Sequence, residues 1–395
     1  MSQDMTDVVH YAGPRGADPP PEYTTYREHG TGTRVVLPSG RTAWLVTRYE
    51  DARAALRDPA LSSNSGLPGY PLLGAGVEVP PFNATLIGLD GPAHARLRGL
   101  MAADFSRRRA IALRPEIQRL AELLADRMAT EGPPSDLVSG FAQPLATQTT
   151  CVILGVPYAE HDFFEHHTLV ATDGSSSTEQ KSESITAVLG LLRRLIDAKT
   201  EAPADDLISR LAATGQLSTE ELLFNVALVL GAGIDTTANM IALGTMVLLR
   251  HPTQWAAIRT APGLAANAVD ELLRYLTIVR LGLARVAVAD TTIGGNPIRA
   301  GDGVIISLLA ANRDGDAFPS PDTVDVHRQG AQRHVAFGHG IHQCIGQSFA
   351  RIELEVAVSV LATRFPALRI TVADEELRFR DTSDFYGLRE LPLAW

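Results

Sequence analysis

Cys344 lies in the run Phe337-Gly338-His339-Gly340-Ile341-His342-Gln343-Cys344-Ile345-Gly346, and the residues from Gln347 to Leu354 then read as helix. A thiol just ahead of a helix N-terminus is biased toward thiolate by the helix dipole and the spare amide donors. The glycines allow the backbone to lie against a flat ligand, and Phe337 offers that ligand an apolar shield. The plain alternative is an ordinary buried thiol. Zinc competes through His334, His339 and His342, but no second nearby cysteine or Cys-x-x-Cys spacing accompanies them.

The second candidate is Gly231-Ala232-Gly233-Ile234-Asp235-Thr236-Thr237, in the middle of a long apolar helix pattern. Each interior glycine costs about 1 kcal/mol relative to alanine, so either something approaches closely or the helix kinks or packs tightly there. An acid beside an alcohol, Asp235 and Thr236, is suited to proton delivery: a hydroxyl positions water and a carboxylate relays protons from solvent. Two weaker signals follow. Glu271 and Arg274 sit at i and i+3 on a helix, a spacing that on its own most often marks a solvated surface pair. His94 and Arg98 share one helix face and read alone as solvent-facing, because charged side chains are mostly exposed.

Taken together these segments resemble the cytochrome P-450 superfamily. The cysteine loop matches Phe-Gly-x-Gly-x-His-x-Cys-x-Gly at every fixed position, and the mid-helix segment matches Ala-Gly-x-Asp-Thr. The resemblance implies haem b with Cys344 as the thiolate ligand to iron, which favours O–O cleavage, and dioxygen as co-substrate. It also implies that Phe337, Gly338 and Ala232 lie against the haem, and that His94, Arg98, Arg285 and His342 serve its propionates. Thr236 would steer oxygen protonation with Asp235 feeding the relay, and Glu271 with Arg274 would be buried and hold the cysteine loop. One departure stands out. Where family members carry a Pro-x-Arg-Phe-like segment, this chain reads Pro321-Asp322-Thr323-Val324, with Arg328 as a possible substitute partner.

These residues need a mainly helical scaffold. Apolar residues recur at helical spacing over Arg114 to Met128, Ile185 to Ile196 and Glu353 to Ala362. The strongest helix runs from Ser218 to about Arg250, opened by the Ser218/Glu221 capping-box pattern and ended by His251-Pro252. It would be roughly 50 Å long. Asn225, Asp235, Thr236, Thr237 and Asn239 interrupt its apolar centre, which predicts a buried core helix rather than a membrane span. A small hairpin is expected between Arg34 and Val46, ahead of a helix from Arg48 to Leu56. Further strands fall between Arg285 and Ile298, around Gly294-Gly295-Asn296-Pro297. Cys151, in a helical stretch, reads as core. By resemblance, which extends from about Tyr23 to Trp395, the fold is a triangular helical domain with a small β-rich lobe and the haem between the long helix and the Cys344 loop. Residues 1–22 form an irregular arm and 23–395 one catalytic domain.

With 45% hydrophobic and 20% charged residues the composition is that of a globular protein. A net charge of −10 argues against nucleic acid or an anionic membrane as the main partner. The first ten residues lack a secretory pattern and the two cysteines give no disulfide framework, so a cytoplasmic protein without a membrane anchor is expected. No flavin or nicotinamide fingerprint is present, which implies a separate ferredoxin and ferredoxin reductase; Arg107-Arg108-Arg109 could help dock an acidic ferredoxin, although such a run is usually a solvated face. By position, substrate contacts come from the loop between Ser62 and Leu89, Val229, Ala232, Leu281 to Leu283 and the Phe385-Tyr386 turn. The expected reaction is hydroxylation or epoxidation of a small secondary-metabolite or short-peptide substrate. Oxidative coupling without oxygen insertion, as of a phenolic or peptide substrate, is the alternative, and a non-catalytic haem binding or sensing module the rival of another class.

Overall fold

A computed structural model of the chain describes residues 7–8, 18–28, 32–37, 40–72, 85–173, 175–380, 383 and 385–395. Most of the expected N-terminal arm and the centre of the Ser62 to Leu89 loop, with Pro80 and Pro81, lie outside the described residues. The chain divides into two compact units.

The first unit comprises Met1–Arg98, Glu271–Val324 and Gly330–Ile345. Its centre is a six-stranded sheet in the order Asp7–Val8, Thr33–Val36, Thr42–Val46, Gly303–Ile306, Leu283–Ala287 and Leu61–Ser62. The hairpin read between Arg34 and Val46 is present as an antiparallel pair with Arg34 opposite Trp44. Inward residues of these strands pack with the helix Tyr49–Ala55, burying Val46, Tyr49, Leu61, Ile306, Phe318 and Val335 in one cluster. Full burial of such a side chain stabilises by about 1.5–3 kcal/mol. Of the turn residues read in sequence, only Gly294 and Gly295 form the turn, while Asn296 and Pro297 begin the return strand Asn296–Ile298. Both glycines have positive φ, 55° and 82°, as a two-residue type I′ turn requires.

The second unit comprises Gly99–Asp270, Asp325–Gln329 and Gly346–Trp395 and is mostly helical. Its long helix, Thr219–Arg250, begins and ends where the sequence places it. Ser218 Oγ accepts from Glu221 N at 3.1 Å and Glu221 Oε2 from Ser218 N at 2.9 Å, a capping box worth about 1 kcal/mol. This helix meets the length and hydropathy criteria for a membrane span, but 61% of its most apolar window is buried inside the protein. Helix Gln347–Arg364 lies along helix Arg107–Glu131, tied by Arg114 to both oxygens of Glu355 at 2.9 and 3.0 Å and by an edge-on Phe105–Phe349 contact. The helix read from Arg114 starts two turns earlier, at Arg107, capped by Ser106. Cys151 is core, on helix Gln143–Leu154, and burial pushes its thiol up to about 12.

Candidate active site

In the first unit the Cys344 loop is shaped by its own backbone. Gly338, at φ 70°, turns the chain so that Cys344 N donates to Phe337 O at 2.8 Å, and the Cys344 thiol is exposed while Gly338 is buried. Arg98 Nη2 donates to Gln343 O at 2.7 Å, which brings its guanidinium beside the cysteine. Val335, at the start of the loop, donates its amide to Asn312 Oδ1 at 2.8 Å.

Of the four residues assigned to anionic groups, His342 lies in this loop and His94 and Arg98 meet it. The His94 and His342 rings lie 4.3 Å apart. His94 is 2% exposed, and its Nε2 is buried without a hydrogen-bond partner among the described residues. Burial, with His342 and Arg98 nearby, lowers the His94 imidazole to about 4, so it is neutral at pH 7. Arg285, on the strand Leu283–Ala287, is buried, and its one hydrogen bond among the described residues goes to Ala284 O at 2.7 Å. Arg98 is half-buried. The reading of His94 and Arg98 as solvent-facing residues therefore fails on burial.

His342 is occupied differently from a simple anion donor. Its Nε2 lies 3.2 Å from both Asp90 Oδ1 and Ser63 Oγ. Burial alone would raise the Asp90 carboxyl, but hydrogen bonds from His342, Ser62 and Ser63 outweigh it and hold the group well below the usual carboxylate range. Asp90 thus fixes His342 within the cationic cluster. Asp90 immediately precedes the helix Gly91–Met101, and nothing in the local sequence pairs it with His342.

Behind the loop, Glu271 and Arg274 are completely buried, not a surface pair. Arg274 donates twice to the carboxylate, at 2.7 and 2.8 Å, and to the main-chain oxygens of Asn312, Pro321 and Thr323 at 2.9, 2.8 and 3.3 Å. Two carbonyls of the segment that departs from the family pattern, Pro321 and Thr323, thus share the remaining guanidinium donors with Asn312. Asn312 joins this arginine to the loop: its Nδ2 donates to Thr277 Oγ1 at 2.8 Å while its Oδ1 holds Val335. The polar trio Asn312-Arg313-Asp314 after an apolar strand and helix was the available signal.

In the second unit Ala232, Asp235 and Thr236 occupy the centre of the long helix, with Thr236 Oγ1 donating to Ala232 O at 2.6 Å. Gly233 exists because helix Gln143–Leu154 approaches: an added Cβ would lie 2.6 Å from Thr150 Oγ1. At Gly231 no atom from another part of the described residues lies within 4 Å of that position. Tight helix packing accounts for one of the two glycines. Asp235 does not face solvent. It is 1% exposed and bonded to Arg380, with Asn239 Nδ2 at 3.3 Å. Of the expected substrate contacts, Val229 is half-buried and Ala232 exposed, whereas Tyr386 is buried and stacked on Phe379 at 5.4 Å.

The profile of the family described as cytochrome P450 matches residues 263–381. Cytochrome P450-SU2 of Streptomyces griseolus is 46% identical over 379 residues, 96% of this chain and 94% of that protein. The chain belongs to the cytochrome P450 family. Among solved structures, the mycinamicin VIII C21 methyl hydroxylase MycCI of Micromonospora griseorubida superimposes with TM-score 0.92 at 36% identity, over 99% and 100% of the two chains. SgvP, assigned as a thioether synthase in griseoviridin tailoring, does so with TM-score 0.93 at 34% identity, over 99% and 100%. The chain is accordingly a cytochrome P450 monooxygenase with that family's fold, and uses haem b with dioxygen as co-substrate. The residues present fit that group. An exposed thiol on a glycine-turned loop suits an iron ligand, and the partnerless His94 Nε2 and the sparsely bonded, buried Arg285 suit paired carboxylates.

Proposed function

We propose that this P450 inserts one oxygen atom into a small secondary-metabolite intermediate, with electrons delivered by a ferredoxin and its reductase. Haem b, when bound, supplies reductive cleavage of dioxygen, consuming two electrons and two protons and leaving one oxygen for substrate and one for water. In this reading the Cys344 thiolate would ligate the iron, and Phe337, Gly338 and Ala232 would lie against the haem. Arg98 and Arg285 would neutralise the propionates, His94 would donate to them, and His342 is held in the same cluster by Asp90. Thr236 positions a proton donor and Asp235 supplies the proton.

The observation that carries oxygen insertion is the Asp235–Thr236 pair at mid-helix, with the Thr236 hydroxyl directed to Ala232 O. The same pair disfavours a module that only binds or senses through haem. Exposed Arg107 and Arg108 are candidates to meet an acidic ferredoxin; Arg109 is committed to Asp205 at 3.1 Å. Coverage of 96% of the chain by one relative supports a single catalytic domain from residue 23 onward. Neither cysteine forms a disulfide, in keeping with a cytoplasmic setting.

The similarity to SgvP favours a second reading, oxidative bond formation without oxygen transfer. One experiment separates them: reconstitute the holoenzyme with a ferredoxin, its reductase and a nicotinamide cofactor, supply extracts rich in secondary metabolites, and compare product masses. A gain of one oxygen supports the monooxygenase reading. Loss of two hydrogens with no oxygen gained refutes it and establishes coupling.

A further inference from the structure

The acid of the long helix is held by a residue from a distant part of the chain. Asp235 and Asn239, one turn apart, face the same side. Arg380 Nη1 reaches Asp235 Oδ1 and, at 3.4 Å, Asn239 Oδ1, while Asn239 Nδ2 donates back to the carboxylate at 3.3 Å. All three are buried. A carboxylate so far from water needs a counter-charge, and removing one partner of such a pair leaves the other uncompensated.

Arg380 arrives on a two-stranded ribbon. Arg380 N donates to Gly387 O and Arg389 N to Arg378 O, both at 2.8 Å, with Phe379 bridging Leu388. The stacking of Phe379 on Tyr386 stiffens the ribbon. Gly387 presses it onto the long helix: a Cβ added there would collide with Asn239 Oδ1. The charge of Arg380 and the missing side chain of Gly387 therefore converge on Asn239, the residue that donates to Asp235.

We propose that Arg380 is a positioning residue for proton delivery: it opposes the charge of Asp235 and fixes the orientation from which that carboxylate serves Thr236, and Gly387 sets the close approach that allows it. This rests on the reading of Asp235 and Thr236 as the proton relay. Position of the ribbon, and not the helix alone, then determines how well reduced dioxygen is protonated toward water.

The test uses the holoenzyme with a plant-type ferredoxin, its reductase and the reduced nicotinamide cofactor, without organic substrate, so that electrons end as peroxide or water. Peroxide released per nicotinamide oxidised and the solvent deuterium isotope effect on nicotinamide oxidation are measured. Variants are Arg380→Met, Arg380→Lys, Gly387→Ala, Asp235→Asn, Thr236→Ala and the double variant Asp235→Asn/Arg380→Met. Arg380→Met is expected to raise the peroxide share and the isotope effect several-fold, toward the Asp235→Asn values. Arg380→Lys should restore at least half of the loss, and the double variant should uncouple no more than Asp235→Asn alone. In urea, the double variant should recover part of the midpoint lost by Arg380→Met, a readout independent of turnover. Gly387→Ala, which alters no charge, should also uncouple, and answers the question if Arg380→Met does not retain haem.

Wild-type coupling in Arg380→Met or in Gly387→Ala, or additive uncoupling in the double variant, overturns the inference. If Asp235→Asn and Thr236→Ala also couple normally, it is the relay reading itself that fails.

Discussion

Replacing Arg274 by methionine removes the most heavily bonded side chain of the first unit. The substitution keeps an unbranched apolar stem but deletes five hydrogen bonds: two to Glu271 and one each to the main-chain oxygens of Asn312, Pro321 and Thr323. It also removes a guanidinium 5.4 Å from the Phe318 ring centre. Glu271 would lose its bidentate guanidinium partner at 0% exposure. Breaking a buried ion pair by removing one partner costs about 3–5 kcal/mol, and each carbonyl left without a donor adds about 1–3 kcal/mol where water cannot reach it. Together these approach the roughly 5–15 kcal/mol that holds a folded domain. Because Asn312, whose carbonyl Arg274 holds, also fixes Val335 at the start of the Cys344 loop, haem retention should fall with stability. The assay is the ratio of haem to protein after purification, followed by thermal unfolding watched through both the haem band and far-ultraviolet circular dichroism. Arg274→Met is expected to yield little haem-loaded protein. The double variant Glu271→Leu/Arg274→Met, which removes both charges of the pair, should recover only part of the loss, because its carbonyls still lack donors. A haem content near wild type and a midpoint within about 2 °C in the single variant would refute this account of the buried pair.

Three further outcomes follow from the geometry. Cys344→Ala should abolish the thiolate-type absorbance of the reduced carbonyl complex, and persistence of that band would remove Cys344 as the ligand. Arg285→Leu takes away a buried cation with a single hydrogen bond among the described residues, so it should weaken haem retention in a competition assay with apomyoglobin while leaving the haem-free chain's unfolding midpoint nearly unchanged; an equal loss in both would make its role structural. Burial pushes the Glu353 carboxyl well above its ordinary range, with the Thr149 hydroxyl opposing the shift. Between the ordinary carboxylate range and that raised value the folded state keeps a proton the unfolded state has released. Stability due to this group therefore falls as pH rises, by up to about 1.4 kcal/mol per pH unit. Glu353→Gln should unfold progressively later than wild type as pH goes from 5 to 8, and parallel pH profiles for the two proteins would disprove the assignment.

What was legible in the sequence was what neighbouring residues decide. The long helix announces itself because Ser218 and Glu221 cap it locally and its apolar content is unbroken by proline. The Gly294-Gly295 turn follows from φ signs that only glycine tolerates cheaply. Helix Arg107–Glu131 was read two turns short for the complementary reason. Its first turns carry three arginines and bury only Ala110, so the apolar face starts late, and Pro115 in its interior imitates a start. The cysteine loop was legible because its chemistry lies within ten consecutive residues.

Partnerships across the chain were not legible, and the reason is physical. Asp235 and Arg380 are 145 residues apart, and Asp90 and His342 252 apart; neither spacing leaves a periodic trace. Asp235 nevertheless posed a question that could have been asked from sequence. An acid in the middle of an apolar helix of 32 residues cannot stay buried as an anion without a cation or several donors. The alternative was that it faces water, and reading it as a relay from solvent chose that alternative. The same logic applies to Glu271, where i,i+3 spacing supplied the partner and only burial was missing. A buried acid thus requires a compensating group even when sequence cannot name it, and the element that brings the compensator becomes part of the site. For Asp235 that element is the ribbon carrying Arg380 and Gly387, so variation in those residues should alter coupling with no change to the acid or the alcohol.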